Sequence, residues 1–363
     1  MKVLFVDDEP HVLEALQRSL FQLDVEWEPS FAGNGAAAIE ALEQDAFDVI
    51  VSDMRMPGMD GAALLEHTRD KYPQIARIVL SGQTDEIAAI RAARVAHQFL
   101  VKPCGAETLR RVIERTLELS AWLNDDALRA QVGKVERLPS TPRLFAELSK
   151  LMDDDTATVD SVVRVVRQDP AMSSKLLQVV NSSFFARSSN VSDVRTAVLR
   201  LGLKTIRNLA LGIGAFDAAG ALANSAISVE KLQQRSLKIA RLASRIATGR
   251  DDPDAAFMSG LTCDIGELIV TDPTPAEQTE PTQRAITHAK VGAFLLGLWG
   301  LPFPIVEAVS NHHTPEQNPY DRLGLPQIVW LSSCLVHGVE PDPEYLARIG
   351  ASNLVAEFQG MLE

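Results

Sequence analysis

The sequence has little cysteine: three residues, Cys104, Cys263 and Cys334, with no CxxC spacing. That excludes a disulfide framework and fits a reducing compartment. It has no run of about 18 apolar residues, so no segment is built to span a membrane. The first ten residues, MKVLFVDDEP, hold a short apolar run broken by acids and lack the form of a signal peptide. A cytoplasmic protein is expected. Positive charge is in deficit, with 35 Lys and Arg against 48 Asp and Glu, a net of -13. A local basic patch aside, this argues against non-specific nucleic-acid binding, which needs a Lys/Arg surface. What is present is apolar matter, 46% of 363 residues. That is enough for real cores in two domains, or two and a linker.

Through residue 105 short apolar runs alternate with helical patterns. KVLFV, VEWEPSFA, FDVIVSD, ARIVLSG and HQFLVKP read as five strands. Helices are expected from Pro10 to about Leu23, Gly35 to Gln44, Gly61 to Lys71, Glu86 to Arg94, and from Gly105 onward. Such alternation implies a parallel sheet with helices on both faces. Functional residues then gather beyond the carboxyl ends of the strands. Asp7 and Asp8 follow strand one, Asp53 strand three, Ser81 strand four and Lys102 strand five. Three carboxylates at one sheet edge repel and are costly to desolvate. A hard cation such as Mg²⁺, which prefers oxygen ligands, relieves both. With Lys102 as a point charge, such a site can stabilise a phosphoryl group on Asp53, and Ser81 can hydrogen-bond its oxygens. Asp60-Gly61 reads as turn and helix-start chemistry. Met54, Met56 and Met59 read as packing, and His11, His67 and His97 as scattered surface or core residues.

Asp7-Asp8, Asp53, the MPGMDG loop, Ser81 and Lys102-Pro103 together resemble the response-regulator receiver domain of two-component signalling. The resemblance covers residues 1–120 and implies a flavodoxin-like fold. It implies that Asp53 accepts phosphate from a histidine kinase or phosphotransfer protein. It also implies that Asp7, Asp8, Asp53 and the backbone carbonyl of Arg55 hold Mg²⁺, and that the bond before Pro103 is cis. Phe99 stands at the aromatic switch position, where Tyr is common.

Residues 121–137 form a connector, expected to prolong the last receiver helix, with Asn124-Asp125-Asp126 able to break or recap it. It either transmits a rotation or forms a homodimer seam, or is a plain linker helix. Two prolines, Pro139 and Pro142, end it.

From 138 to 340 helical periodicity takes over, and an all-α bundle is expected. Helices are read at 142–152, 158–168, 170–181, 192–200, 202–217, 229–248, 253–270, 285–298, 302–311 and 325–336, with a helical tail at 341–363. The phrases "RQDPAMSSKLLQVVNSSFF", "AVLRLGLKTIRNLAL", "FMSGLTCDIGELIV", "HAKVGAFLLGLWGLP" and "EAVSNHHTP" resemble the HDOD domain, a degenerate relative of HD-superfamily phosphohydrolases. An active HD site needs a His, then a His-Asp pair, then further ligands for a water-activating metal. Here the first position holds Arg235 and the pair is Cys263-Asp264. A guanidinium stays protonated and cannot ligate, and one Cys263 thiolate does not replace two imidazoles. Asp264, His288, His312 and His313 remain candidate ligands. Alternatively Asp264 holds backbone amides, His288 caps a helix or faces the core, and His312-His313 are helix-end cations.

Three functions follow. The first is a phosphorylation-controlled signalling protein with no catalytic output, whose helical domain binds a downstream protein. The second is a metal-dependent phosphohydrolase acting on a cyclic dinucleotide or nucleotide. The third, a DNA-binding regulator, is disfavoured by the acidic charge and the want of a recognisable helix-turn-helix.

Overall fold

The computed structural model describes residues 1–82, 94–135, 138–154, 156–182, 190–207, 209, 217–218, 228–270, 281–317 and 321–359. Most of the helix expected from Glu86 to Arg94, most of the 202–217 helix beyond 207, residues Phe184-Phe185 and the end of the tail fall outside these residues; Asp217, expected in that helix, lies in a short strand instead.

Five strands form one parallel sheet: β1 (Lys2–Val6), β2 (Glu28–Ala32), β3 (Val49–Asp53), β4 (Ala76–Gly82) and β5 (Gln98–Lys102). Their order is β2-β1-β3-β4-β5. The apolar runs of β1, β3 and β4 are buried because helices cover both faces of such a sheet. Helices α1 (Pro10–Gln22), α2 (Gly35–Gln44) and α3 (Gly61–Lys71) join the strands, and α4 (Ala106–Trp122) follows β5. Side chains at their starts accept free backbone N–H groups: Asn34 takes Ala37 N–H at 2.9 Å, and Asp60 takes Ala63 N–H at 2.8 Å.

The connector is not a prolonged α4. That helix ends at Trp122, and Asp125 caps a separate short helix, α5 (Asp126–Gly133), by accepting Leu128 N–H at 3.0 Å. Of the two options at Asn124-Asp125-Asp126, the break with a new cap is the one found. The carboxylate competes successfully for the backbone donors that a continuing helix would use.

The second region is helical: α6 (Pro142–Asp153), α7 (Val159–Val166), α8 (Pro170–Asn181), α9 (Val194–Arg207), α10 (Val229–Ala247), α11 (Pro253–Thr262), α12 (Pro281–Leu298), α13 (Phe303–Asn311) and α14 (Leu325–His337). Two differences from the periodicity stand out. The helix expected over 253–270 stops at Thr262 and is followed by one tight turn, Ile265–Leu268. A short parallel pair, β6 (Pro139–Ser140) with β7 (Asp217–Ala218), interrupts the all-α pattern. Two-residue strands are too short to leave a period-2 signal. The tail forms α15 (Pro343–Arg348) and α16 (Leu354–Gln359), which are not a separate unit. Their Tyr345, Leu346, Leu354 and Phe358 share a core with Ile239, Ile246 and Trp330. Tyr345 Oη donates to Pro315 O at 2.8 Å.

The two regions are docked over a common apolar core that runs from the sheet into α6, α8 and α12. Arg77 of β4 is buried beside it, 1% exposed. Its Nε donates to Val95 O and its Nη2 to Gly133 O, both at 2.7 Å. From the other side Gln178 Nε2 donates to Ala96 O at 3.3 Å and His97 O at 3.0 Å. His97 is therefore a core residue, and burial first, then the charges of Arg77 and Lys175, hold it well below the usual imidazole range.

Candidate functional sites

The carboxyl edge of the sheet brings the predicted residues together. Asp7 sits one residue past β1 and is 2% exposed, and Asp53 ends β3 at 7%. Lys102 ends β5 and reaches across β4 to both. Its Nζ donates to Asp7 Oδ2 at 2.6 Å and pairs with Asp53 Oδ1. Asp7 Oδ1 accepts Glu9 N–H at 3.0 Å, and Asp53 Oδ2 accepts Arg55 N–H at 2.6 Å. Burial raises the Asp53 carboxyl above its ordinary value, and the Asp7 charge adds to this against the pull of Lys102 and Arg55. Burial lowers the Lys102 ammonium, but Asp53 and Asp7 outweigh it and hold it raised. Asp8 is half-buried and Ser81 buried at the end of β4. Phe99 is buried in β5, with β4 between it and the strand of Asp53, and the Lys102–Pro103 bond is cis.

One residue of this site was read from sequence as ordinary turn chemistry. A Cβ on Gly61 would lie 2.0 Å from Asp53 O. Glycine is what lets the loop after β3 return against its own strand end, fixed by Gly61 N–H to Met54 O at 3.0 Å. Asp-Gly seven residues past a strand-end aspartate is the signal that carries it. Met54 and Met56 are buried packing residues, in keeping with their reading.

A second cluster lies in the helical region. Asp264, from the break after α11, His288 of α12, and His312 and His313 just past α13 place one ligand atom each within 4.8 Å of one another. His288 Nε2 is 3.3 Å from His312 Nε2 and 3.2 Å from His313 Nε2. Asp264 Oδ1 is 3.7 Å from His288 Nε2 and 3.4 Å from His312 Nε2. The break at Thr262 aims Asp264 inward. Gly266 then lets the tight turn meet α12, since a Cβ there would lie 1.9 Å from His288 O. Arg235 of α10 lies alongside, its Nε 2.8 Å from Asp264 Oδ2 and its Nη2 2.6 Å from Glu267 Oε2.

Burial raises the Asp264 carboxyl, yet His288, His312 and Arg235 outweigh it and hold it well below the usual carboxylate range. Burial, then the neighbouring His312 and His288, pushes His313 down to about 2. His312 and His313 are turned inward rather than standing at an exposed helix end, and burial disfavours a charge on His313. Asp264 binds Arg235, and no backbone amide donates to it among the described residues. Cys263, a candidate thiolate ligand, is not part of the cluster. Its Sγ points to Gly260 O at 3.3 Å, it belongs to the opposite apolar core, and burial raises its thiol well above the ordinary value.

With this geometry established, the comparisons with known proteins become specific. Residues 3–114 match the response regulator receiver domain and residues 138–315 match the HDOD domain. The chain is a two-component response regulator in which an N-terminal receiver domain is followed by an HDOD domain. An uncharacterized protein of Treponema pallidum is 23% identical over 256 residues, covering 65% of this chain and 49% of that protein. The DNA-binding transcriptional regulator NtrC of Escherichia coli K12 is 34% identical over 116 residues, covering 32% of this chain and 24% of NtrC. The chain thus spans about half, or less, of the length of these relatives. Among solved structures, the MmoQ response regulator of Methylococcus capsulatus matches at 19% identity with a TM-score of 0.49, covering 61% of this chain and 98% of that one. The response regulator TrrA of Thermotoga maritima, in complex with Mg(2+)-BeF, matches at 24% identity with a TM-score of 0.29, covering 32% of this chain and 97% of that one. No described helix is long and apolar enough to cross a membrane.

Proposed function

We propose that Asp53 accepts a phosphoryl group from a histidine kinase or phosphotransfer protein in the cytoplasm, and that the helical domain passes the signal to a protein partner without catalysis. The observation that carries this reading is Lys102, held between the buried Asp7 and Asp53 carboxylates. An ammonium so placed neutralises charge at the attacking carboxylate and then faces the new phosphoryl oxygens. Asp7, Asp8, Asp53 and the Arg55 carbonyl form an oxygen-only donor set, which suits Mg²⁺. The raised Asp53 carboxyl supports the fit, since a cation there relieves the repulsion from Asp7. When bound, Mg²⁺ supplies charge to the phosphoryl oxygens. The chain's own part is to hold Asp53 through Arg55 N–H and to present Lys102 and Ser81. Phosphorylation adds about -1.5 to -2 charge beside Lys102. The docked domains offer a short path outward, from β4 and β5 through Arg77 and Gln178.

The test is intact mass after incubation with acetyl phosphate and Mg²⁺. A single acid-labile phosphoryl adduct on the wild type, missing from Asp53→Asn, is expected. An adduct of equal yield on both proteins would remove Asp53 from the role.

The second reading, a phosphohydrolase, is favoured by the histidine cluster beside a cavity of about 340 Å³. Against it stands Arg235, whose guanidinium occupies the Asp264 oxygen left over by the cluster. Turnover of cyclic dinucleotides by the purified chain, lost in Asp264→Asn, would establish this reading over the first.

A further inference from the structure

We propose that the cleft between α4 of the receiver and α13 of the helical domain binds a small aromatic anion, a flat ring system carrying a phosphate or carboxylate. The cleft holds about 450 Å³, within the range of ligand sites, which gather at domain interfaces. It shares no lining residue with the acidic edge of the sheet or with the histidine cluster. The inference goes beyond the signalling function proposed above and does not depend on phosphorylation of Asp53, so either can fail alone.

Each wall is one face of a helix. Arg115, Leu119 and Trp122 recur along α4 at i, i+4 and i+7, and Phe303, Val306 and Ser310 along α13 at i, i+3 and i+7. Helix α12 supplies Lys290, and its Gly297 lets it close against α4, since a Cβ there would lie 2.8 Å from Leu119 Cδ1. Arg115 Nη2 ties α4 to the turn before α13 through Leu301 O at 2.5 Å. The cleft therefore exists only while the two domains are docked.

The apolar part of the lining calls for a ring. Trp122 is 44% exposed and Phe303 64%, two of the few large apolar side chains left open on the described surface, and both border this cleft. Aromatic faces left in water gain from a partner that stacks on them. Leu119 and Val306 extend the same apolar surface inward.

The charges set the sign of the ligand. Arg115 and Lys290 both line the cleft, and neither has an ion-pair partner among the described residues. Arg115 is half-buried, and burial lowers its guanidinium below the ordinary value, against the pull of the Glu118 charge. A guanidinium drawn from water with one carbonyl acceptor is costly, and an anion in the cleft would satisfy its remaining donors. A guanidinium fork beside an ammonium suits phosphate or carboxylate. Two carboxyls also border the cleft: Glu118 stands exposed, and burial raises that of Glu307, which favours its neutral form. A ligand held by walls from both domains would strengthen their docking by mass action, a small-molecule input separate from Asp53.

The experiment titrates the full chain with anilinonaphthalene sulfonate, a ring system with a fixed anion whose fluorescence rises on binding. One dye per chain is expected, with a Kd below about 100 µM. Lys290→Gln and Phe303→Ala, both at exposed positions, should each weaken binding about tenfold with circular dichroism unchanged. Displacement separates the two sources of the ligand: adenosine and guanosine monophosphates stand for the phosphates, and indoleacetate for the carboxylates. At least one of these groups should displace the dye below about 1 mM, and inorganic phosphate should not. Dye affinity unchanged in a folded Lys290→Gln or Phe303→Ala, displacement by inorganic phosphate alone, or no displacement by either group at about 1 mM would each overturn the proposal.

Discussion

Replacing Arg77 with Met should loosen the receiver from the connector helix α5 and so weaken the docking of the two domains. The guanidinium is 1% exposed and makes two short bonds, to Val95 O within the receiver and to Gly133 O of α5, each at 2.7 Å. It makes further contacts to Ile75 O at 3.3 Å and to the His97 ring at 3.0 Å. A hydrogen bond from a charged donor contributes about 1.5–3 kcal/mol, so the two short ones contribute roughly 3–6 kcal/mol. Met fills much of the space but satisfies none of the acceptors, which stay buried. Against a total of about 5–15 kcal/mol, this is a large fraction. The assay is urea unfolding followed separately by receiver and helical-domain probes. Wild type should unfold with coincident transitions, and Arg77→Met should show a loss of roughly 3–6 kcal/mol, or separated transitions with the α5 region exposed first. Arg77→Lys should recover little, because one ammonium cannot reach acceptors on opposite sides. A loss below about 1 kcal/mol with coincident transitions would show that the apolar core alone docks the domains and that Arg77 is incidental.

Two further outcomes follow from single positions. Gly61→Ala should abolish phosphoryl uptake at Asp53 even where the chain folds, since a Cβ 2.0 Å from Asp53 O must displace the loop; normal adduct yield in the mass assay would refute this. Asp169 starts α8 and is fully buried, and burial raises its carboxyl to about 6 from 3.8, against its bonds to Met172 N–H and Ser140. The folded state therefore holds the proton more tightly, so this contribution is present below about pH 3.8 and lost as pH rises through about 6. The difference is on the order of 3 kcal/mol, and Asp169→Asn, which keeps an acceptor oxygen, should flatten it; equal pH slopes between about pH 4 and 7 in the two proteins would refute the assignment.

The receiver was legible because its chemistry is local. Each strand is a short apolar run, and each functional residue falls where its run stops, so parallel order alone carries Asp7, Asp53, Ser81 and Lys102 to one edge. Helix starts were legible for the same reason: Asn34, Asp60, Asp125 and Asp169 act on N–H groups two or three residues away. In the helical domain the periodicity located most elements but not the stop at Thr262, because an apolar stretch from 253 to 270 reads alike as one helix or as a helix and a turn. That stop decides where Asp264 points.

What the sequence determined by itself was the class of each domain and the receiver's acidic edge. Tertiary structure alone decided three things. It separated Cys263 from its neighbour Asp264, turning one to the core and the other to the histidines. It gathered His288 with His312 and His313 across more than twenty residues. It placed Arg77, one undistinguished charge in a strand, in a buried contact with the connector helix. Neighbouring residues in a tight turn face opposite ways, and partners distant in sequence meet only when helices pack, so neither is written in any local pattern.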